Sequence, residues 1–296
     1  MAEDTSAWTE PLSGENIATL DRLVRAVDMA AGFALFFARC NVPAMTQRLV
    51  ERARHQLDAL GVAVIEVALD SEATNLRARL RREMETWQAT SSEAAPATLT
   101  MSPEAALVRE AAAPYRATPK AALFVSGLEY SIPYDRPNAR ILAELNLGRD
   151  LFRRDVPAPV VFWLPDYAIT AIARHAPDFW AWRSGVFEFT TEEAVRTAAF
   201  TQVVHEGPGL AALSNLSPSA KRARRRQLES LLDDYQGLPE DQRTLRERMA
   251  ILADLGDVCE VQGDYPAALR YFQEALALAH RTADRQAEAE AKRSAA

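Results

Sequence analysis

The stretch Gly32-Phe33-Ala34-Leu35-Phe36-Phe37-Ala38, followed directly by Arg39-Cys40-Asn41-Val42-Pro43-Ala44-Met45-Thr46, decides the fold of this chain. The first seven residues form a near-continuous apolar run, which is typical of a strand buried on both faces of a parallel sheet. Residues 43–60 then have a helical pattern. A buried strand that runs through a short loop into a helix indicates the first unit of an alternating α/β fold.

The octet from Arg39 to Thr46 takes the place in which a P-loop NTPase carries G-x-x-x-x-G-K-[ST], and it resembles that motif with its working residues replaced. In the motif, the glycines let backbone N–H groups converge on the phosphates, and the lysine neutralises the β and γ oxygens. Here Arg39 and Ala44 replace the glycines and Met45 replaces the lysine, while Thr46 keeps its hydroxyl. Pro43 also removes one N–H from the loop. The sequence therefore predicts a phosphate cradle that has lost its ligands.

Four further apolar runs follow, and helical patterns separate them. The predicted strands cover residues 33–38, 62–69, 121–126, 159–164 and 186–189, and the intervening helices cover 43–60, 73–89, 138–153 and 166–174. This alternation predicts an α/β domain of three layers, with a parallel five-stranded sheet covered on both faces. The small and polar stretch 90–119 interrupts the rhythm and is predicted to be an insertion before the third strand.

The order of these elements over residues 15–205 resembles the P-loop core of the STAND class of signal-transduction ATPases, which is related to AAA+ proteins. The resemblance implies the strand order 5-1-4-3-2, and it implies an acidic Mg²⁺ ligand after the third strand. In this chain Ser126 or Gly127 holds that position, and Glu129 comes late. The resemblance makes Arg39, Ala44, Met45, Thr46 and Glu129 a degenerate nucleotide site. A plain β–α turn in an unrelated doubly wound fold remains the alternative.

The C-terminal stretch resembles a tetratricopeptide (TPR) repeat. Two helices that approach at small residues, with a tight turn between them, are its physical signature. The residues that carry the pattern are Leu255, Gly256, Gly263, Tyr265, Ala268, Leu269, Phe272 and Ala275. Leu255, Tyr265, Leu269, Phe272 and Ala275 are expected to form the interhelical core. One repeat cannot bury its own apolar face, so the chain is expected to be a fragment of a longer array, or its last helix to dock elsewhere.

These patterns divide the chain into four parts. Residues 1–14 are expected to be a flexible leader and 15–205 the α/β domain. Residues 206–248 are expected to be a helical linker, and 249–296 a TPR-like all-α hairpin with the start of a next helix near Asp284.

Composition and charge exclude several classes of function. The net charge of −7 disfavours nucleic acid as a partner, and the basic run Lys221–Arg226 is interpreted as a solvated face or an interdomain contact. The longest apolar run is too short to cross a bilayer, and the acidic N-terminus lacks a signal-peptide pattern, so a soluble cytoplasmic protein is expected. Two distant cysteines and four scattered histidines predict no disulfide and no metal site.

The aromatic segment around Trp180, Trp182 and Arg183 has two interpretations. Aromatic residues and arginine are enriched at binding hot spots, so the segment could be a partner surface. The alternative is that it closes the end of the sheet by packing.

No carboxylate pair has a histidine or serine partner nearby in sequence, so no catalytic residues are predicted. The favoured function is a non-catalytic signalling or scaffold protein with no cofactor, in which a pseudo-NTPase core presents a TPR to a protein partner. The alternative is a STAND-type switch that still binds ATP or ADP with Mg²⁺ and, if active, is an ATPase. Self-association into a homo-oligomer is left open.

Overall fold

The computed structural model of the chain describes residues 12–69, 75–93, 120–132 and 140–294. Strands and helices alternate through the first two thirds, and helices follow. The strands are β1 (Ala34–Arg39), β2 (Val62–Ala68), β3 (Lys120–Ser126), β4 (Pro159–Leu164) and β5 (Arg183–Glu188). The helices are α1 (Gly14–Met29), α2 (Pro43–Ala59), α3 (Leu76–Glu93), α4 (Arg140–Asp155), α5 (Asp166–His175), α6 (Pro177–Ala181), α7 (Glu193–Phe200), α8 (Leu210–Ser214), α9 (Pro218–Gln236), α10 (Gln242–Val261) and α11 (Tyr265–Ser294). A 3₁₀ turn at Leu128–Ser131 follows β3, and a π-helical turn at Thr201–His205 follows α7.

The five strands form one parallel sheet in the order β2-β3-β4-β1-β5. Read from the other edge, this is 5-1-4-3-2, so the predicted α/β class and strand order are confirmed. Strand β1 lies between β4 and β5, and Phe36 pairs with Val161 on one side and Gly185 on the other. Because all strands are parallel, their carboxyl ends lie along one edge, where ligands bind in open α/β sheets.

Alternating side chains of β1 enter two different hydrophobic clusters, as the two-residue period of a strand requires. Leu35 and Phe37 belong to a cluster shared with α3, α4, α5 and α6. Phe36 and Ala38 belong to a second cluster, which contains residues of α1, α2 and α7 and continues into α9, α10 and α11. The segment that was expected to be a linker therefore packs against the α/β layers through Leu228 and Leu232.

Strand and helix bounds agree with the predicted ones to within a few residues, with one clear shift. β4 covers 159–164 as predicted, whereas β5 begins at Arg183 and not at residue 186. β5 is an edge strand with a half-exposed pattern, so its first residues carry no apolar signal. Backbone pairing of Arg183 with Leu35 places this arginine in the sheet.

The C-terminal helices α10 and α11 form a helical hairpin. Gly263 makes the turn between them with a φ of +78°, a conformation that favours glycine. Helix α11 runs without a break to Ser294, so the prediction that a new helix starts near Asp284 is wrong. The sequence after Pro266 contains no glycine or proline and is rich in alanine, which favours an uninterrupted helix.

Parts of the predicted organisation lie outside the described residues. These are the leader up to residue 11 and most of the insertion (94–119). Helix α3 extends to Glu93 and covers the first residues assigned to the insertion. Within the described ranges, no helix combines the length and the apolar character that crossing a bilayer requires.

Candidate functional site

The candidate site lies at the carboxyl edge of the sheet, where β1, β4 and β5 end. Arg39 is the last residue of β1, and its guanidinium lies 3.2 Å from Asp166, just after β4, and 3.3 Å from Glu188, at the end of β5. All three side chains are partly exposed, so each pair adds little to stability. Arg39, in the first glycine position of the motif, thus bridges two carboxylates.

The loop between β1 and α2 is short because the helix begins at Pro43, the fifth residue of the octet. The backbone N–H of Cys40 donates to the carbonyl of Leu164 at 3.0 Å. The Thr46 N–H and hydroxyl both donate to the carbonyl of Val42, at 3.0 and 3.3 Å. Several of the polar groups that would face a phosphate are therefore used within the fold.

Two further residues of the octet, Met45 and Ala44, pack into the protein instead of facing the position of a phosphate. Met45, in the lysine position, is fully buried in the hydrophobic cluster that contains Phe36. Ala44 is partly buried against the same cluster. The side chain that would reach the β and γ phosphates in a P-loop points into the core and carries no charge.

Asn41 makes the central hydrogen bonds of this edge. Its Oδ1 accepts from the backbone N–H of Asp166 at 2.8 Å and so satisfies a donor at the start of α5. Its Nδ2 donates to Oδ1 of Asp234 at 2.7 Å. The other oxygen of Asp234 accepts from the hydroxyl of Thr191 at 2.8 Å. A carboxylate of α9 is thereby bound to the loop that occupies the P-loop position.

Two buried carboxyl groups of α9 at this edge have raised pKa values. Burial raises the pKa of Asp234 to about 6, and its hydrogen bonds from Asn41 and Thr191 oppose that shift. Burial, followed by the negative charges of Asp166 and Asp234, raises the pKa of Asp233 to about 7. Both pKa values are therefore raised chiefly by burial, which disfavours the ionised form of a carboxyl group.

Glu129 lies on the 3₁₀ turn after β3. Gly127 precedes the turn with a φ of +85°, and a Cβ there would come within 2.1 Å of the carbonyl oxygen of Leu69. Burial raises the pKa of Glu129 to about 7, while the charge of Arg226 lowers it. Its Oε2 is buried and has no hydrogen-bond partner among the described residues. Over the same described ranges, no cluster of acidic, histidine or cysteine side chains could hold a metal ion.

The aromatic segment packs against the sheet. Trp180 lies with its ring centre 4.9 Å from that of Phe37, and Trp182 meets Phe33 edge-on at 6.3 Å. Arg183 stacks over Trp180, with 4.4 Å between Cζ and the ring centre. Both tryptophans are half-buried against the hydrophobic cluster of Phe37, which favours the packing interpretation over a partner surface.

The TPR-like residues divide into two groups. Leu255, Gly256 and Ala268 are buried, and Ala275 is partly buried between the helices. A Cβ on Gly256 would lie 2.3 Å from the Phe272 ring, so the side chain of Phe272 fills the space that a side chain at this position would need.

Tyr265 and Leu269 were expected in the interhelical core, and this prediction is wrong because they are 67% and 59% exposed. Tyr271 and Leu278 are buried on α11 in their place. Tyr265 and Leu269 therefore face solvent, while the buried side of α11 is formed by other residues of the same helix.

The basic run of α9 is used for internal contacts. Arg224 pairs with Asp254 at 2.9 Å, and Arg225 pairs with Glu229 at 2.8 Å and Asp264 at 2.9 Å. Arg226 donates to the backbone carbonyl of Tyr130 at 2.7 Å. These pairs join α9 to α10, to the hairpin turn and to the end of β3, so the interdomain interpretation fits better than a solvated face.

Sequence reasoning missed Asn41, Asp233 and Asp234 as site residues. The signal that could have found the aspartates is the helical pattern of α9. Leu228, Leu231, Leu232 and Tyr235 are buried, and the aspartates lie between the last two of these anchors. Charged residues so close to a buried face need partners, and Asn41 and Thr191 supply them for Asp234, whereas Oδ2 of Asp233 is buried without a hydrogen-bond partner among the described residues.

Comparisons with known proteins give solved structures of low similarity. No family model matches the chain, and no curated protein matches it either. The chain is similar to the ORC2 protein of Aeropyrum pernix in complexes with ADPNP and ADP, at 13% identity and a TM-score of 0.36, covering 92% of this chain and 72% of that one. It is also similar to DnaA of Aquifex aeolicus bound to AMPPCP, at 10% identity and a TM-score of 0.31, covering 97% of each chain. The α/β class rests on the parallel sheet and its strand order, and not on these scores.

Proposed function

We propose that the chain is a non-catalytic signalling or scaffold protein, in which a P-loop-like core without a working nucleotide site supports a helical hairpin that contacts a protein partner. The observation that carries the proposal is the hydrogen bond between Asn41 and Asp234. It brings a carboxylate to the loop that would otherwise hold phosphates.

Electrostatics support the loss of nucleotide binding. Two unit charges 4 Å apart interact by about 4 kcal/mol at an effective dielectric constant of 20. A phosphate placed at this loop would meet the carboxylate of Asp234 and would lack the lysine that Met45 replaces. Each charged hydrogen bond that is missing removes about 1.5–3 kcal/mol. Repulsion and missing contacts act in the same direction.

The hairpin of α10 and α11 is the part that we assign to partner contact. It is anchored on the core by the pairs of Arg224 and Arg225 with Asp254 and Asp264. It also carries large apolar side chains exposed on α11. An anchored hairpin with such a face is suited to binding protein.

The rival function is a nucleotide-dependent switch in which Arg39, Thr46 and Glu129 contact ATP. The present partners of these residues argue against it. Arg39 pairs with two carboxylates, and the Thr46 hydroxyl donates to the carbonyl of Val42. Glu129 is buried on the turn after β3.

Thermal melting in the presence of ATP or ADP with Mg²⁺ tests the proposal. The expected result is an unchanged melting temperature. A ligand present at about 100 times its Kd would stabilise the fold by about 2.7 kcal/mol, which is several degrees for a chain of this size.

A matched pair of variants separates the two functions. Thr46→Ala removes the remaining hydroxyl of the motif. Thr90→Ala removes an exposed hydroxyl that makes the same kind of bond, to the carbonyl of Thr86 at 3.1 Å. A nucleotide-dependent shift that disappears in Thr46→Ala and persists in Thr90→Ala would overturn the proposal and support the switch.

A further inference from the structure

Helix α11 has an exposed apolar face in addition to the one that packs on α10. Its members, which we call the α11 stripe, are Tyr265, Leu269, Phe272 and Leu276, and they are 67%, 59%, 36% and 58% exposed. They are spaced by four, three and four residues, which is the spacing of a helix–helix seam. The opposite face already buries Tyr271 and Leu278. Within the stripe, the Phe272 ring also packs against Gly256 of α10, whereas Tyr265, Leu269 and Leu276 are more than half exposed and are surplus to the hairpin's own packing.

The stripe is a contiguous apolar patch and not a set of scattered surface residues. At roughly 200 Å² for a large apolar side chain, the exposed fractions leave roughly 450 Å² of apolar surface on one copy. The largest patch on a typical monomer is about 300–600 Å², and such patches are often functional. Two copies together would bury roughly 900 Å² from these side chains alone, and a specific interface needs about 1,000 Å² in total. Residues beside the stripe would supply the remainder.

The stripe is complementary to itself. When two α11 helices lie antiparallel, Leu269 of one copy can face Phe272 of the other while Tyr265 faces Leu276. Every layer of that seam is then apolar, and a two-fold axis relates its halves, as in an isologous dimer. The positions that flank the seam include Ala268, Gln273 and Ala275, so no like charges oppose each other across it.

We propose that the chain forms a two-fold homodimer through the α11 stripe, with the two α11 helices antiparallel. The inference rests on the part of the proposed function that assigns partner contact to the hairpin, and it names a second copy of the chain as that partner. It does not depend on whether the sheet edge binds nucleotide.

Sedimentation velocity over a range of concentrations tests the dimer with the full chain. The expected mass is twice the 32.7 kDa of one chain. Leu269→Glu places a charge in the seam and should give a monomer whose circular dichroism is unchanged, because the residue is exposed in the single copy. The matched control is Leu147→Glu on α4, an exposed leucine at 84%, which should remain a dimer.

Cross-linking tests the antiparallel orientation. In a mixture of Leu269→Cys and Phe272→Cys chains, oxidation should join one chain of each kind. The native Cys40 and Cys259 are buried and should not take part.

Each alternative outcome contradicts the dimer. A wild-type chain that is monomeric at every concentration overturns the proposal and leaves the stripe to another protein. A dimer that persists in Leu269→Glu, or that Leu147→Glu also abolishes, overturns it as well. A monomer whose melting temperature does not change with nucleotide would contradict the dimer proposal alone. A dimer whose melting temperature shifts with nucleotide would contradict only the proposal that the core has no working nucleotide site.

Discussion

The side-chain amide of Asn41 donates a 2.7 Å hydrogen bond to the carboxylate of Asp234, a residue 193 positions further along the chain. The same asparagine accepts from the backbone of Asp166, so one side chain joins the loop after β1 to α5 and α9. This contact links α9 to the loop between β1 and α2, the segment in which the sequence resembles a P-loop with its working residues replaced.

Replacing Asn41 should destabilise the fold. Asn41→Ala leaves one oxygen of the Asp234 carboxylate and the backbone N–H of Asp166 without this partner. Leaving a buried polar group unpaired costs about 1–3 kcal/mol. Urea unfolding should show that loss, while Asn215→Ala, which removes an exposed side chain bonded only to its own helix, should change the free energy of unfolding far less. Equal effects of the two substitutions would refute the role given to Asn41.

The buried carboxyl groups should make stability depend on pH. The pKa values of Asp233 and Glu129 are raised to about 7 in the folded chain, whereas such groups titrate near pH 4 when unfolded. Between these values the folded chain binds more protons than the unfolded chain. The free energy of unfolding therefore falls as pH rises through that window, and it falls no further from these groups above about pH 7.

Neutral variants should flatten this dependence. Asp233→Asn and Glu129→Gln should each be more stable than wild type at about pH 8 and should reduce the slope between about pH 5 and pH 7. Urea midpoints at several pH values measure the effect, with the exposed Glu51→Gln as control. A wild-type chain that becomes more stable from pH 5 to pH 7, with variants that follow it, would contradict the assignment.

Gly256 and Phe272 should be energetically coupled. Gly256→Ala should destabilise the hairpin, because a Cβ would lie 2.3 Å from the Phe272 ring. Overpacking of this kind typically costs about 1–3 kcal/mol. In a Phe272→Ala background the clash is gone, and the same substitution should instead stabilise α10 by up to about 1 kcal/mol, the helix propensity difference between the two residues. A double-mutant cycle by urea unfolding checks the change of sign, and additive effects would disprove the contact.

The ion pairs of α9 should matter for stability rather than for nucleic acid. Arg225 pairs with Glu229, which is only 2% exposed at the side chain, and with Asp264. Removing one partner of a buried pair costs about 3–5 kcal/mol. Arg225→Ala should therefore lower the urea midpoint strongly, while the exposed Arg222→Ala should leave it almost unchanged. Similar small effects at both positions would mean that the run is a solvated face after all.

The sequence was sufficient for the elements that depend on local pattern. Apolar runs such as 159–164 have the length and continuity of buried parallel strands, and the resemblance to P-loop proteins supplied the strand order that the sheet has. The start of β5 at Arg183 could not be predicted, because an edge strand needs no apolar side chains there.

The network around Asn41 was beyond sequence reasoning for a different reason. It depends on where α9 lies on the sheet, which is set by apolar residues such as Leu228 and Tyr235 rather than by the polar residues themselves. The exposure of Tyr265 and Leu269 was missed because the repeat pattern does not distinguish a face that meets its own hairpin from one that meets a neighbour.

The most direct test of the central claim is to extract and quantify nucleotide from the natively purified chain and then to titrate the same preparation with ATP and Mg²⁺ by calorimetry. A P-loop switch retains or takes up close to one nucleotide per chain. We expect nucleotide far below that stoichiometry in the extract and no saturable heat in the titration. One bound ADP or ATP per chain, released only on denaturation, would contradict the account.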